Sequence, residues 1–207
     1  FLAPGMIDIH IHGGGGFDTM DASAEALDQI SKVLAAHGVT SFLPTTMTMA
    51  REKIQAALEN IRQAKKNGTG GAQVLGTHVE GPFISPDYIG AQNSENLIEP
   101  EIELLRDYYD VVEIVTLAPE VEGALELIEE LHQNKITASA GHSAATYEEF
   151  QQAYEVYKQA SAHPNFSKLP APTRERWRVL EAFIFYFIYT GKIKPDADNP
   201  VKKFRLS

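Results

Sequence analysis

The 207 residues carry 43% apolar and 22% charged side chains, ordinary values that exclude wholesale disorder and fibrous repeats. Lys and Arg number 18 against 28 Asp and Glu, and the resulting net charge of −10 lacks the broad basic footprint of a nucleic-acid binder. With no cysteine, disulfides, zinc fingers and thiol catalysis are excluded, and any metal must be held by His and carboxylates. No run reaches the ~18 apolar residues that a membrane span needs, and no signal peptide is visible. Neither nucleic acid nor membrane is therefore an expected partner, and a cytoplasmic location is the default expectation. The opening F-L-A-P-G has no initiator Met, so residue 1 reads as an internal point of a longer protein.

In chain order, residues 6–12 (M-I-D-I-H-I-H) alternate with period two and read as a strand, broken by Gly13 to Gly16. Residues 22–37 place Leu27, Ile30, Val33 and Leu34 at helical spacing, with Asp21 or Ser23 as cap. Residues 39–46 read as a second strand, 50–66 as an amphipathic helix (Ile54, Ala57, Leu58, Ile61) and 73–80 as a third strand. A long loop over 81–96 and a short helix near 99–107 follow. Residues 111–117 form a fourth strand, 121–133 a helix, 136–140 a fifth strand and 146–158 a helix. Such alternation implies parallel strands joined by right-handed crossovers. An open doubly wound sheet and a (β/α)₈ barrel compete. The run G-G-G-G-F-D lacks the spacing of a dinucleotide fingerprint, and no acidic residue suitably ends the second strand. The TIM-barrel type is favoured, here incomplete, with about five βα units in residues 1–158.

Polar residues cluster at the strand ends: His10 and His12, Thr45 and Thr46, His78 and Glu80, Thr116, then His142 and Ser143. In a parallel α/β structure these ends share one face, where barrel enzymes place their active sites. His10 and His12 are two apart on a strand, so both imidazoles point the same way, with Ile7, Ile9 and Ile11 toward the helices. H-x-H alone is also consistent with a pair of surface histidines. Glu80 and His142 ending other strands favour a divalent metal, and mixed His/carboxylate ligation suits Zn, Fe(II), Mn or Co without choosing among them, as one ion or two. His78 reads equally as a hydrogen-bonded core histidine or a functional group. Thr45 and Thr46 read as satisfied hydroxyls, Ser143 as a cap or support, His37 as structural and His132 as exposed.

The motifs H-I-H-G-G-G-G-F-D-T-M-D, T-S-F-L-P-T-T, H-V-E-G-P-F-I-S, G-A-Q-N, T-L-A-P-E and G-H-S-A-A-T-Y-E-E, in that order over about residues 3–160, closely resemble the N-acetylglucosamine-6-phosphate deacetylases of the amidohydrolase superfamily. The resemblance implies a (β/α)₈ barrel with a small β-sandwich domain. It implies metal-dependent deacetylation of N-acetyl-D-glucosamine 6-phosphate to glucosamine 6-phosphate and acetate. The unpaired edge of an incomplete barrel invites dimerisation, and a homodimer is expected. The resemblance makes Glu80 and His142 metal ligands, with His10 and His12 where a second metal is held. Ala91 and Gln92 fall where the family contacts the sugar. Another amidohydrolase acting on a cyclic amide is the rival enzyme, and an inactive truncated remnant is the rival of another class.

After about residue 158 the chain departs from that pattern. His163 stands where the third metal histidine is expected and Arg174 near the phosphate-binding arginine, in surroundings that do not match. The strand-end Asp that serves the family as acid/base has no counterpart, so turnover by this chain is expected to be much reduced or nil. The tail 159–207 reads as a shifted reading frame or a replaced segment. It is expected not to complete the barrel, with a helix near 173–189 over the open edge and an irregular end.

Overall fold

A computed structural model describes residues 4–160, which fall within one compact unit. The expectations for the tail, His163 and Arg174 among them, lie outside the described residues.

The alternating pattern becomes five parallel strands: β1 (Met6–Ile11), β2 (Val39–Thr46), β3 (Thr77–Glu80), β4 (Val112–Leu117) and β5 (Thr137–Ala140). Each pairs with its neighbour in sequence, in the order β1-β2-β3-β4-β5. A doubly wound sheet reverses its strand order at a switch point; this one does not, and it forms the wall of a partial barrel. Registers such as Thr45↔His78, Glu80↔Thr116 and Thr116↔Ser139 line polar residues of successive strands along one face. A two-residue piece, Gln73–Val74, pairs with β2 ahead of β3, so the expected third strand is divided at Leu75 and Gly76.

The crossovers are α1 (Ala24–Ala36), α2 (Arg51–Asn67) and α3 (Ala124–Gln133), with α4 (Tyr147–Ala160) following β5. Ser23, one of the two expected caps, accepts the Ala26 N–H at the start of α1. The helices bury the stripes that periodicity marked, Leu27, Ile30 and Leu34 on α1 and Ile54, Leu58 and Ile61 on α2, and α3 buries Leu127, Ile128 and Leu131. Each such side chain contributes roughly 1.5–3 kcal/mol of burial. They meet Phe42, Val79 and Val115 of the sheet in one core.

Four features depart from the sequence reading. The connection from β3 to β4 carries no α-helix; the expected helix near 99–107 is two 3₁₀ turns, Ile102–Leu104 and Arg106–Tyr108. Pro82, Pro86 and Pro100 interrupt any longer helical run before them. The glycines after β1 fold into a small antiparallel ribbon, Gly13–Gly14 with Phe17–Asp18. Ile7 and Ile9 do not face a helix: they are 61% and 38% exposed, and among the described residues β1 pairs on one side alone, with a register that slips between Asp8 and Ile11. His132 is half-buried, its ring edge-on to Tyr157 at 4.9 Å. Among the described residues no helix is long and apolar enough to cross a membrane.

Candidate metal centre

The period of two on β3 puts His78 and Glu80 on the same face, and Glu80 becomes the hub of the strand ends. His12 Nε2 lies 3.1 Å from its Oε2, His142 Nε2 3.1 Å from its Oε1 and His10 Nε2 3.8 Å from Oε1. Ligand atoms of His10, His12 and Glu80 all lie within 4.8 Å of one another. Two strands therefore deliver His10, His12 and Glu80 to one point, while His142, beyond β5, reaches the same carboxylate without joining that set.

The tautomers follow from the partners. His12 Nδ1 meets the Thr45 carbonyl at 3.1 Å and His142 Nδ1 the Tyr88 carbonyl at 3.0 Å. A carbonyl only accepts, so each Nδ1 carries a proton; the hydrogen bond to the Glu80 carboxylate then needs a second proton on Nε2, and loss of that proton is what frees the Nε2 lone pair for an ion. Three imidazole nitrogens and a carboxylate form a donor set that fits Zn, Fe(II), Mn or Co.

Burial works to raise the Glu80 carboxyl, but the hydrogen bonds with His12 and His142 and the neighbouring imidazole charges outweigh it and hold the group well below the usual carboxylate range. The same bonds raise His12 and His142 above 6.5 against the opposing effect of burial. His10 has no such bond, and burial lowers it. Burial pushes His78 down to about 4, so its ring is neutral near physiological pH.

The loop after β3 holds the site together. Ser85 N–H donates to the His142 carbonyl at 2.9 Å, and the Tyr88 carbonyl takes the His142 ring proton. His142 itself sits at φ +50, the left-handed region that non-glycine residues seldom occupy. Gly90, at φ +59, packs on its ring, where an added Cβ would lie 3.2 Å from His142 Cε1. Past β4, Glu120 accepts from the Ser143 hydroxyl and the Ala144 N–H, pinning the chain just after His142.

Gln92 is buried and both ends of its amide are engaged: Nε2 donates to Glu80 Oε2 at 2.7 Å and Oε1 accepts from Thr48 N–H at 2.8 Å. Ala91 beside it is exposed. Ser143 also accepts from Ala145 N–H, a supporting place as expected. His37 caps its helix through the Val33 carbonyl at 2.8 Å. Thr45 is satisfied by Leu43 and Ile11, whereas the buried Thr46 hydroxyl finds no partner among the described residues. The carbonyls of Thr45 and Tyr88 and the amide of Gln92 were not identified from sequence as supports. The nearest signal was the return of G-A-Q-N a dozen residues after Glu80.

Residues 1–166 match the amidohydrolase family, and the chain belongs to it. Within that family it is similar to named deacetylases. N-acetylglucosamine-6-phosphate deacetylase of Bacillus subtilis is 47% identical over 151 residues, 70% of this chain and 38% of the relative. N-acetylgalactosamine-6-phosphate deacetylase of Escherichia coli O157:H7 is 40% identical over 166 residues, 78% of this chain and 44% of the relative. Among solved structures, N-acetylglucosamine-6-phosphate deacetylase of Thermotoga maritima superposes with TM-score 0.67 at 36% identity, over 74% of this chain and 41% of the other. A mutant of the Mycobacterium smegmatis enzyme in complex with N-acetyl-D-glucosamine-6-phosphate gives 0.68 at 30% identity, over 74% and 40%. The chain thus spans about two fifths of the length of these relatives.

Proposed function

We propose that the described residues form the metal-binding half of a deacetylase that removes acetate from an N-acetylhexosamine 6-phosphate, N-acetyl-D-glucosamine 6-phosphate foremost. The observation that carries this reading is the buried Glu80 carboxylate with His10, His12 and His142 gathered round it. These four residues would hold one or two divalent ions, which when bound supply polarisation of an acyl oxygen and activation of water. Glu80 supplies the negative charge that draws the imidazoles together. The Thr45 and Tyr88 carbonyls fix the ring tautomers, and Gln92 holds the carboxylate in place. Exposed Ala91, next to that glutamine, offers backbone to a sugar at the mouth of the site.

Proton transfer to the leaving amine finds no group here. None of β1, β2, β4 and β5 ends in a carboxylate, and Glu120 is engaged by Ser143 and Ala144. Reduced or absent turnover, with metal binding retained, is accordingly part of this proposal. Calorimetric titration with Zn, Mn and Co tests the metal half, and a chain that takes up none of them contradicts the reading. Acetate release measured from N-acetylglucosamine 6-phosphate and from its galactosamine counterpart tests the substrate. Hydrolysis of a cyclic amide in place of either sugar would point to the rival amidohydrolase.

A further inference from the structure

His78 is 3% exposed and both its ring nitrogens are engaged. Nδ1 meets the Ile9 carbonyl at 3.0 Å and Nε2 meets the Thr116 hydroxyl at 2.7 Å. Ile9 offers only a carbonyl acceptor, so Nδ1 carries the proton; in the neutral ring Nε2 then accepts and Thr116 donates. No lone pair is left for an ion. In this His78 differs from His12 and His142, whose Nε2 atoms stay directed at Glu80.

The bond to Ile9 also reaches an unusual place. It runs from β3 to β1 past the intervening β2, to the residue directly before His10. The β1–β2 register slips between Asp8 and Ile11, so regular strand pairing does not fix Ile9 and His10. The His78 ring stands edge-on to the His10 ring, centroids 4.8 Å apart. Backbone and side chain of His10 are thus both braced by one buried imidazole.

We propose that His78 is a positioning residue: anchored by Thr116, it holds Ile9 and the His10 ring so that His10 can join the metal centre. The inference rests on the metal-centre reading above and deepens it. Residues that orient ligands in this way typically change metal affinity by roughly 10–100-fold when removed.

The test uses the full chain and cobalt(II), followed by its visible absorption and by competition with a chelator. His78→Phe keeps the ring volume and removes both bonds; Thr116→Val removes the anchoring hydroxyl at nearly constant shape and serves if the first variant does not fold. Each is made alone and in a His10→Ala background, with thermal unfolding measured in parallel. The expected result is a cobalt affinity lowered about 10-fold or more by His78→Phe, less by Thr116→Val, with neither adding to the loss caused by His10→Ala. Additive losses in the His10→Ala background, or an unchanged affinity in both single variants, overturn the positioning role and leave the metal centre standing. Wild-type chain that binds no cobalt, or an affinity indifferent to His10→Ala, overturns the metal-centre reading and the positioning role with it.

Discussion

Glu80 keeps its charge in a place where burial opposes it, and three imidazoles are the reason. Replacing it by Gln removes the acceptor that raises His12 and His142. Both imidazoles should then titrate lower, read by NMR, and divalent-metal affinity should fall by about 100-fold or more. Unchanged imidazole titration would show that the contacts are not made. Gly90→Ala strains a left-handed backbone and pushes a methyl against the His142 ring. It should cost about 1–2 kcal/mol in unfolding experiments and weaken metal binding as well. At this scale the sequence was readable where chemistry and position coincide: His10, His12, Glu80 and His142 are unusual residues at strand ends. It was unreadable where the partner is generic. Every residue owns a carbonyl, so nothing in the letters singles out those of Thr45, Tyr88 or Ile9.

The strands and helices were legible because their apolar periods are clean. Ile54, Ala57, Leu58 and Ile61 can belong to one helix face and to little else, and all are buried. The β3–β4 connection was not, because its path is dictated by contacts distant in sequence. Phe83 and Ser85 reach across the sheet ends: the Phe83 carbonyl accepts from Ala118 N–H at 2.9 Å, and Ser85 N–H donates to the His142 carbonyl. Phe83 itself is fully buried among the helix-facing residues. Phe83→Ala should cost about 3–5 kcal/mol and, because the loop carries Tyr88, Gly90 and Gln92, should lower metal affinity in the fraction that remains folded. Loss of stability with metal affinity intact would separate the loop's packing from its service to the site. The period of two on β1 misled at Ile7 and Ile9, since a strand paired on one side alone among the described residues, with a slipped register, need not bury its apolar side.

For the described unit as a whole, the proposed centre would couple metal, protons and folding. Without metal, the raised His12 and His142 contribute stability that is fully present below their ordinary 6.5 and is lost as pH rises through their higher folded values. Glu80, depressed, contributes above its ordinary 4.5 and loses that contribution as pH falls through its lower folded value. These three groups together contribute most between those ordinary values, while the lowered His10 and His78 work the other way, taking stability away as pH falls below 6.5. Metal needs neutral imidazoles, so its grip grows as protons leave. Added Zn or Co should raise the unfolding midpoint little near pH ~5.5 and most near pH ~8; a metal-induced shift that shrinks with rising pH would contradict this coupling. The barrel type was legible at this scale because alternation implies parallel order, no dinucleotide fingerprint follows β1 and polar residues end the strands, whereas the two-fifths span relative to its kin came only from comparison.

The sequential strand order has a consequence for how the centre comes into being during synthesis. Since each strand pairs with the one made just before it, the wall can grow as the polypeptide leaves the ribosome, without waiting for distant segments. The ligands arrive on the same timetable. His10 and His12 emerge first, Glu80 nearly seventy residues later, and His142 last. A nascent chain halted before β5 would carry the hub without its final imidazole, so on the proposed reading the four residues come together only once β5 has been made.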